Sequence, residues 1–199
     1  MKKYLPWLLL LASPVVLWKG CEAYDASRFA GVGQVAPDEP VQSPTRVAAF
    51  LHQGLEVIPL AEFSATARVL SARDYSDDVD GDLVPVDLAL GWGEMSDWEN
   101  IRRVKLAQRH RYYNWRVDDW FLPREVIETS SANMHFVPAD AEVRSVLMKA
   151  RRRDVVSFSG YLVQIRGAEK NWASSTTRED TGSYACEVVF IETFEILAL

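Results

Sequence analysis

The chain has 199 residues, of which 48% are hydrophobic and 25% are charged, a length and composition that suit a globular domain with a sizeable core. Its formal net charge of −6 argues against a protein that holds nucleic acid by bulk positive charge. Two cysteines and three dispersed histidines exclude a disulfide framework and the usual spacing of a zinc site, so we expect no metal and no cofactor.

The N-terminus has the pattern of an export signal. Lys2 and Lys3 precede an uncharged run over residues 4–18, which as a helix would be roughly 22 Å long, against about 30 Å for the hydrocarbon core of a bilayer. A charged start and a short apolar run are typical of a signal peptide, but the tryptophans and the lysine that flank the run also suit an uncleaved anchor. We therefore predict that residues 1–23 are a signal peptide or a membrane anchor. The rest of the chain would face the periplasm from the inner membrane, or be periplasmic after cleavage.

The next segment reads as a linker followed by the start of a domain. Residues 24–46 contain three prolines and little periodicity, which predicts a flexible tether. Residues 47–199 are then a single globular, β-rich domain. At its beginning, the apolar spacing over residues 45–56 favours a short helix with Thr45 as its N-cap.

Strands follow. Apolar and polar residues alternate over residues 63–75 and again over residues 84–95, which predicts two long strands. The acidic segment 76–82 between them resembles part of a calcium loop. It lacks the carboxylate expected at the first position of such a loop, and we interpret it as a solvated turn.

The second half of the chain predicts further strands and one helix. Residues 101–117 are rich in aromatic residues with a period of two and favour an extended structure. Residues 124–139 are expected to be a third core strand. A helix over residues 139–150 follows, with Asp140 as its N-cap and an apolar stripe of valine and leucine. Segments 154–165 and 185–197 supply the fourth and fifth strands.

This order of elements predicts the fold class. Three strands, a helix and two strands are the succession of an OB-fold. Gly160 would permit a sharp bend of the fourth strand at a barrel corner, and Trp92, between two glycines, would fill the mouth of the barrel. We predict a mainly β protein with an OB-like five-stranded barrel. One helix would lie between strands three and four, and an N-terminal hydrophobic helix would precede the barrel.

Three motifs carry a resemblance to a known family. DLALGWGEMSD (87–97), SSANMHFVPAD (130–140) and REDTGSYACEVVF (178–190) resemble the recurrent motifs of a family of uncharacterised exported or membrane-anchored bacterial proteins. The resemblance covers most of the chain after about residue 45. It implies export and a single domain, and it implies no activity.

The motif at residues 130–140 contains the first set of candidate ligand-binding residues. In a strand, Ser131, Asn133 and His135 share one face, with neighbours spaced by about 6.6–7 Å. Such a row of polar groups could hold an oxygen-rich ligand. It could equally hydrogen-bond the loops around it.

A second set lies in the basic, aromatic segment 101–117. Arg109, Tyr112 and Trp115 belong to a mixture of cationic and aromatic residues that suits single-stranded nucleic acid on an OB-fold, anionic lipid headgroups or a glycan. A plain solvated strand explains the same pattern. The export signal makes nucleic acid an unlikely partner.

These observations favour a non-catalytic binding or scaffold module that faces an envelope protein or a small polar ligand and meets the membrane through its N-terminal segment. One alternative is a periplasmic hydrolase that uses His135 with Ser131 or Asp97, and another is an oligonucleotide-binding OB domain. Cys186 is expected to be a small buried residue of the last strand, because the sequence shows no partners for a redox or metal role.

Overall fold

The structure is a computed structural model that describes residues 33–167, 171–177, 179–180 and 185–198. The predicted signal peptide or anchor falls in residues 1–32 and lies outside the described residues. Within the described part of the chain, no helix is long and apolar enough to cross a membrane.

Strands dominate the described part, which confirms the prediction of a mainly β protein. The strands are β1 (Val41–Ser43), β2 (Phe50–His52), β3 (Leu55–Asp74), β4 (Val86–Gly91), β5 (Val104–Arg109), β6 (Tyr112–Val117), β7 (Ser131–Pro138), β8 (Val155–Arg166), β9 (Asn171–Ala173) and β10 (Glu187–Leu197). The helices are a 3-10 helix (Gly93–Ser96), α1 (Trp98–Ile101), α2 (Arg124–Thr129) and α3 (Ala141–Leu147).

Five strands are joined in a ring of pairings. β3 pairs with β4, and β4 pairs with β7, in both cases antiparallel. β7 runs parallel to β10, and β10 and β3 both pair antiparallel with β8. β1 and β2 add to β3, β9 adds to β8, and β5 and β6 form a separate hairpin. The chain visits these strands in the order β3, β4, β7, β8, β10, with α3 between β7 and β8.

The main core lies on one face of these strands. Alternate residues of β3 enter it, and Phe136, Phe158 and Phe194 pack together there with ring centroids 5.1–6.2 Å apart. Each fully buried phenylalanine contributes about 1.5–3 kcal/mol relative to an exposed one. Trp92 is buried in the same cluster. The predicted N-cap of α3 is confirmed, because Asp140 accepts a hydrogen bond from the backbone of Val143 at 2.9 Å.

The opposite face of β4 is covered by the β5–β6 hairpin and by the segment before it. A second apolar cluster forms there. Its buried members are Leu70, Ala89, Met95, Ile101, Val104 and Ile127. Because both faces of β4 are covered, all six of its residues are buried. The hairpin confirms that residues 101–117 are mostly extended and explains their period of two.

The predicted helix over residues 45–56 is wrong. Gln53 and Gly54 both have positive φ, 50° and 78°, and they connect His52 to Leu55, which are paired across β2 and β3. Two consecutive residues with positive φ make a type I′ turn, which twists with the flanking strands. Leu51 is 78% exposed, so the apolar spacing did not mark a buried helical face.

Two further segments differ from the sequence-based expectation. The predicted third strand begins later than expected, because residues 124–129 form α2. An ion pair of 2.8 Å between Arg124 and Glu128 stabilises this helix, since residues four apart are neighbours on a helix surface. Residues 41–43, in the stretch predicted as a tether, pair with β3.

Gly160 lies where β8 passes close to the carbonyl oxygen of Phe190, and a Cβ atom there would clash with it.

The turn of the β5–β6 hairpin is conformationally costly. His110 and Arg111 form a two-residue loop between the paired Arg109 and Tyr112, and both have positive φ, 53° and 67°. Turns of this type normally use asparagine or glycine. A non-glycine residue in this region costs about 1 kcal/mol or more and persists only where its surroundings hold it.

We expect His110→Asn to raise the free energy of unfolding by about 0.5 kcal/mol, because asparagine tolerates the left-handed region better than histidine. Denaturant unfolding of the purified protein measures the change. Asn114→His, at an exposed strand position of the same hairpin, is the matched control and should have little effect. A loss of stability in His110→Asn would contradict this account of the turn.

Candidate functional site

A buried polar cluster lies on the outer face of β4, β7 and the start of β10. The strand register places Asp87 opposite His135. It also aligns β10 so that Glu187 lies opposite Met134, which brings the preceding residue, Cys186, next to Asn133. The amide nitrogen of Asn133 is 3.7 Å from the Cys186 sulfur. Side chains from three neighbouring strands therefore meet on one face.

Two cationic side chains surround the carboxylate of Asp87, which is fully buried. Nη1 of Arg111 lies 2.7 Å from Oδ1 of Asp87. Nδ1 of His135 lies 3.0 Å from the same oxygen, an ion-pair contact whose geometry falls short of a directional hydrogen bond. The guanidinium also donates to the Val84 carbonyl at 3.1 Å and stacks over the Tyr75 ring at 3.8 Å. These contacts compensate for the removal of the carboxylate from water.

The same cluster fastens the β5–β6 hairpin to the sheet. Gln108 donates to Oδ1 of Asn133 at 2.7 Å and to the backbone carbonyl of Asp87 at 3.1 Å. Asn133 in turn donates to the backbone carbonyl of Arg111 at 3.1 Å, and the amide of Arg111 donates to the Tyr75 hydroxyl at 3.0 Å. Both backbone polar groups of Arg111, the second residue of the strained turn, are thus hydrogen-bonded, which helps to maintain the turn.

The pKa of His135 is raised to about 9. Burial alone lowers it, because a cation is poorly solvated inside the protein. The neighbouring Asp87 carboxylate and the Cys186 thiol raise it and prevail. The imidazole is therefore protonated at neutral pH, and its ring also packs edge-on against Trp172 at 4.9 Å between centroids.

The three predicted residues of β7 are all on the expected face, but they are buried. Ser131, Asn133 and His135 are 8%, 4% and 5% exposed. Ser131 donates to the backbone carbonyl of Ile127 at 2.7 Å and accepts from the Tyr113 hydroxyl at 3.4 Å. Burial raises the pKa of Tyr113 to about 12, against the lowering effect of Ser131. These hydrogen bonds attach loops and the hairpin to the strand.

The proposed hydrolytic pairs are not brought together among the described residues. The acidic neighbour of His135 is Asp87. Asp97 instead caps α1 by accepting the backbone N–H of Glu99 at 2.9 Å. Ser131 uses its hydroxyl hydrogen on the backbone of Ile127, so this side chain is not prepared as a nucleophile.

The second predicted set is divided between the two faces of the hairpin. Arg109 and Tyr112 pair across the hairpin next to its turn and are exposed. Trp115 faces the other way, against the second apolar cluster, and contacts Trp120 edge-on with centroids 6.2 Å apart. The three residues do not form one continuous basic and aromatic surface.

A cavity of about 130 Å³ opens beside the polar cluster. Four aromatic side chains and three carboxylates are in its lining: Trp92, Tyr112, Tyr113, Trp115, Glu128, Asp180 and Glu187. Ser131, Asn133 and Cys186 also line it. The cavity thus contains four of the six predicted ligand-binding residues, whereas Arg109 and His135 are not in its described lining.

A scan against protein-family models and searches of curated proteins and of solved structures gave no match. The properties of the site therefore come from its own geometry.

Several residues of the site were missed by the sequence analysis. Asp87 appeared only as the polar partner in an alternating strand, and Arg111 only as one cation among many. Cys186 was expected to be a buried strand residue, but it precedes β10, is half-buried and lines the cavity. A useful signal was the carboxylate between Val86 and Leu88 in an otherwise apolar strand, because a buried acid requires a cationic partner.

The raised pKa of His135 makes stability depend on pH. In the unfolded chain a histidine titrates near 6.5, so the stabilisation is complete below that pH and is lost as pH rises through about 9. We expect the free energy of unfolding to fall by up to roughly 3 kcal/mol across this window. Denaturant unfolding at pH 6 to 10 measures it. A His135→Asn variant that keeps the full slope would contradict the assignment.

Removing the cation that neutralises Asp87 should be costly. We expect Arg111→Met to lower the free energy of unfolding by about 3–5 kcal/mol, because it breaks a buried ion pair and leaves the carboxylate poorly compensated. Arg109→Met, two residues away on the exposed face, should change it by less than about 0.5 kcal/mol. Equal effects of the two substitutions, measured by denaturant unfolding, would contradict the role given to Arg111.

Proposed function

We propose that the protein is a binding module of the bacterial cell envelope that takes a small, positively charged group into the cavity beside β7. The observation that carries this proposal is the lining of the cavity, in which aromatic rings and carboxylates are combined. Aromatic faces and carboxylates both attract cations, and both repel anions. The site suits a small polar ligand or a cationic side chain of an envelope protein.

The size of the cavity limits what can enter. A volume of about 130 Å³ is similar to that of an engineered cavity of about 150 Å³ that holds benzene. Sites for drug-sized ligands are several times larger, at about 300–1,000 Å³. A quaternary ammonium group or the end of an amine-bearing chain fits this volume, whereas a nucleotide does not.

The proposed fold around the cavity is an OB-like five-stranded barrel. Two observations support this fold. The strands pair in a ring, β3–β4–β7–β10–β8–β3, and α3 lies between β7 and β8, the third and fourth strands of the ring in chain order. Oligonucleotides and sugars bind such folds on the face of the second and third strands, which here are β4 and β7. That face is covered by the β5–β6 hairpin and fastened to it by buried hydrogen bonds.

The covered face and the acidic cavity both argue against the oligonucleotide-binding alternative. A nucleic-acid site requires cationic side chains that contact phosphates. Arg111, the arginine within the turn, is instead paired with Asp87.

The proposed location rests on the sequence. The charged start and apolar run of residues 1–23 support either cleavage and release into the periplasm or anchoring in the inner membrane. The family resemblance also supports export. The binding domain would then meet ligands or partners on the outer side of the inner membrane.

Titration of the protein with tetramethylammonium chloride tests the ligand class. Sodium phosphate is the anionic probe, and sodium chloride at matched ionic strength is the reference. We expect saturable shifts of the indole resonances of the cavity for the cation only, because its charge is attracted by rings and carboxylates. Tyr112→Ala should weaken the apparent affinity about fivefold, as Tyr112 lines the cavity but is 50% exposed and contributes little to folding.

Leu51→Ala is the matched control, since Leu51 is an exposed apolar residue on β2 that is not in the described lining of the cavity. Its affinity should equal that of the unmodified protein. Binding of phosphate in preference to the cation, or equal effects of the two substitutions, would contradict the proposed function.

A further inference from the structure

We propose that Cys186, His135 and Asp87 form a nucleophilic thiol site for acyl transfer that opens into the cavity beside β7. This activity goes beyond ligand binding and does not require the cationic ligand proposed above. Its three side chains come from the start of β10, from β7 and from β4, and the register of these strands brings them together.

The arrangement has the order that an activated nucleophile requires. A nucleophile needs a base beside it, and the base needs a third group that fixes its orientation. The register places Cys186 opposite Asn133, and His135 lies two residues further along the same face of β7, so the thiol and the imidazole are neighbours. Nδ1 of His135 lies 3.0 Å from Asp87, and the thiol is among the groups that raise the pKa of His135. Because Nδ1 faces the carboxylate, we assign the proton transfers of the reaction to Nε2.

The site has charged surroundings. Arg111, from the hairpin turn, lies 2.7 Å from the carboxylate of Asp87. Burial lowers the pKa of His135, but Asp87 and Cys186 stabilise its cation and raise the pKa overall. The charged or titratable groups around the site are Arg111, Asp87, Cys186 and Tyr75 and, in the cavity lining, Glu128, Asp180, Glu187, Tyr112 and Tyr113.

A substrate can reach the sulfur from the cavity. Cys186 is half-buried and belongs to the cavity lining, whereas His135 and Asp87 lie deeper. The amide nitrogen of Asn133 is 3.7 Å from the sulfur. It is a hydrogen-bond donor beside the position of a carbonyl oxygen under attack, where a donor stabilises developing negative charge.

The proposed reaction is the transfer of an acyl group from an ester or thioester to the thiol, followed by hydrolysis. The sulfur of Cys186, as a thiolate beside the protonated His135, forms a bond to the carbonyl carbon, and the carbonyl electron pair moves to oxygen beside Asn133. Collapse breaks the bond to the leaving group, which takes the proton held on Nε2 of His135. Water then attacks the thioester and gives one proton to Nε2, the carbon–sulfur bond breaks, and the carboxylic acid leaves as the thiolate and imidazolium pair is restored.

In this reaction Cys186 and His135 are catalytic residues, because they touch the reacting atoms. Asp87 acts through His135 and is a positioning residue. The aromatic and acidic cavity would admit substrates whose acyl or leaving group is small and uncharged or cationic, and it would exclude phosphorylated substrates such as acyl phosphates.

Acetylation by p-nitrophenyl acetate tests the proposal in the full-length chain with Cys21→Ser, in which Cys186 is the sole remaining cysteine. Mass spectrometry of the quenched protein follows the acetyl group on the Cys186 peptide. We expect acetylation at pH 7 to be at least about tenfold faster in the folded protein than in the same protein in urea, because the neighbouring imidazolium favours the nucleophilic thiolate. This comparison requires no further variant. An equal or slower rate in the folded protein would overturn the proposal.

Variants test the individual roles. His135→Asn, if its cooperative unfolding is retained, should reduce acetylation to the rate in urea, and a folded variant with an unchanged rate would overturn the proposal. Ser96→Ala removes a buried hydroxyl outside the cluster and should leave the rate unchanged.

Asp87→Asn separates positioning from structure. It should slow acetylation about tenfold while the affinity for tetramethylammonium stays the same, and parallel losses of both would overturn the positioning role. Rapid acetylation in a protein that does not bind tetramethylammonium would support the thiol site and contradict only the proposed function. Cation binding without enhanced acetylation would overturn the thiol site alone.

Discussion

The hairpin, its turn and the cavity wall depend on one interaction, the neutralisation of Asp87 by Arg111 and His135. A carboxylate without access to solvent must be compensated within the protein. Transfer of an isolated ion into the interior costs several kcal/mol. Arg111 reaches the carboxylate because the hairpin turn projects it there with positive φ at two non-glycine residues, His110 and Arg111. The ion pair thus maintains the strained turn, the turn positions the hairpin over β4 and β7, and the hairpin supplies the aromatic wall of the cavity.

The local pattern of the sequence predicted the strands well where one face of a strand meets the core. In β3, alternation correctly separated the core residues Phe63 and Ala65 from exposed Thr66. The pattern lost its meaning two residues later, because Arg68 and Leu70 are also buried. Leu70 packs under the segment that follows β4. Period-two alternation predicts a strand with one buried face. It cannot predict that a second segment, here the one that follows β4, covers the other face.

The candidate site was predictable in part for the same reason. Alternation placed Ser131, Asn133 and His135 on one face, and the structure has them there. Their partners depend on register between distant strands and on the turn conformation at Arg111, neither of which local spacing encodes. For Cys186, the apolar residues after it suggested burial, whereas its position just before β10 leaves one side open to the cavity.

The parallel pairing of β7 with β10 has a consequence for the order of folding. Asn133 and Cys186 are 53 residues apart in sequence, and β10 pairs with both β7 and β8. A nascent chain therefore cannot assemble the cluster until β10 is available, since closing long-range contacts is among the slow steps of β-protein folding. Until then Asp87 and His135 remain hydrated and Cys186 is separated from both. The reactivity proposed for Cys186 would thus appear only at the end of folding.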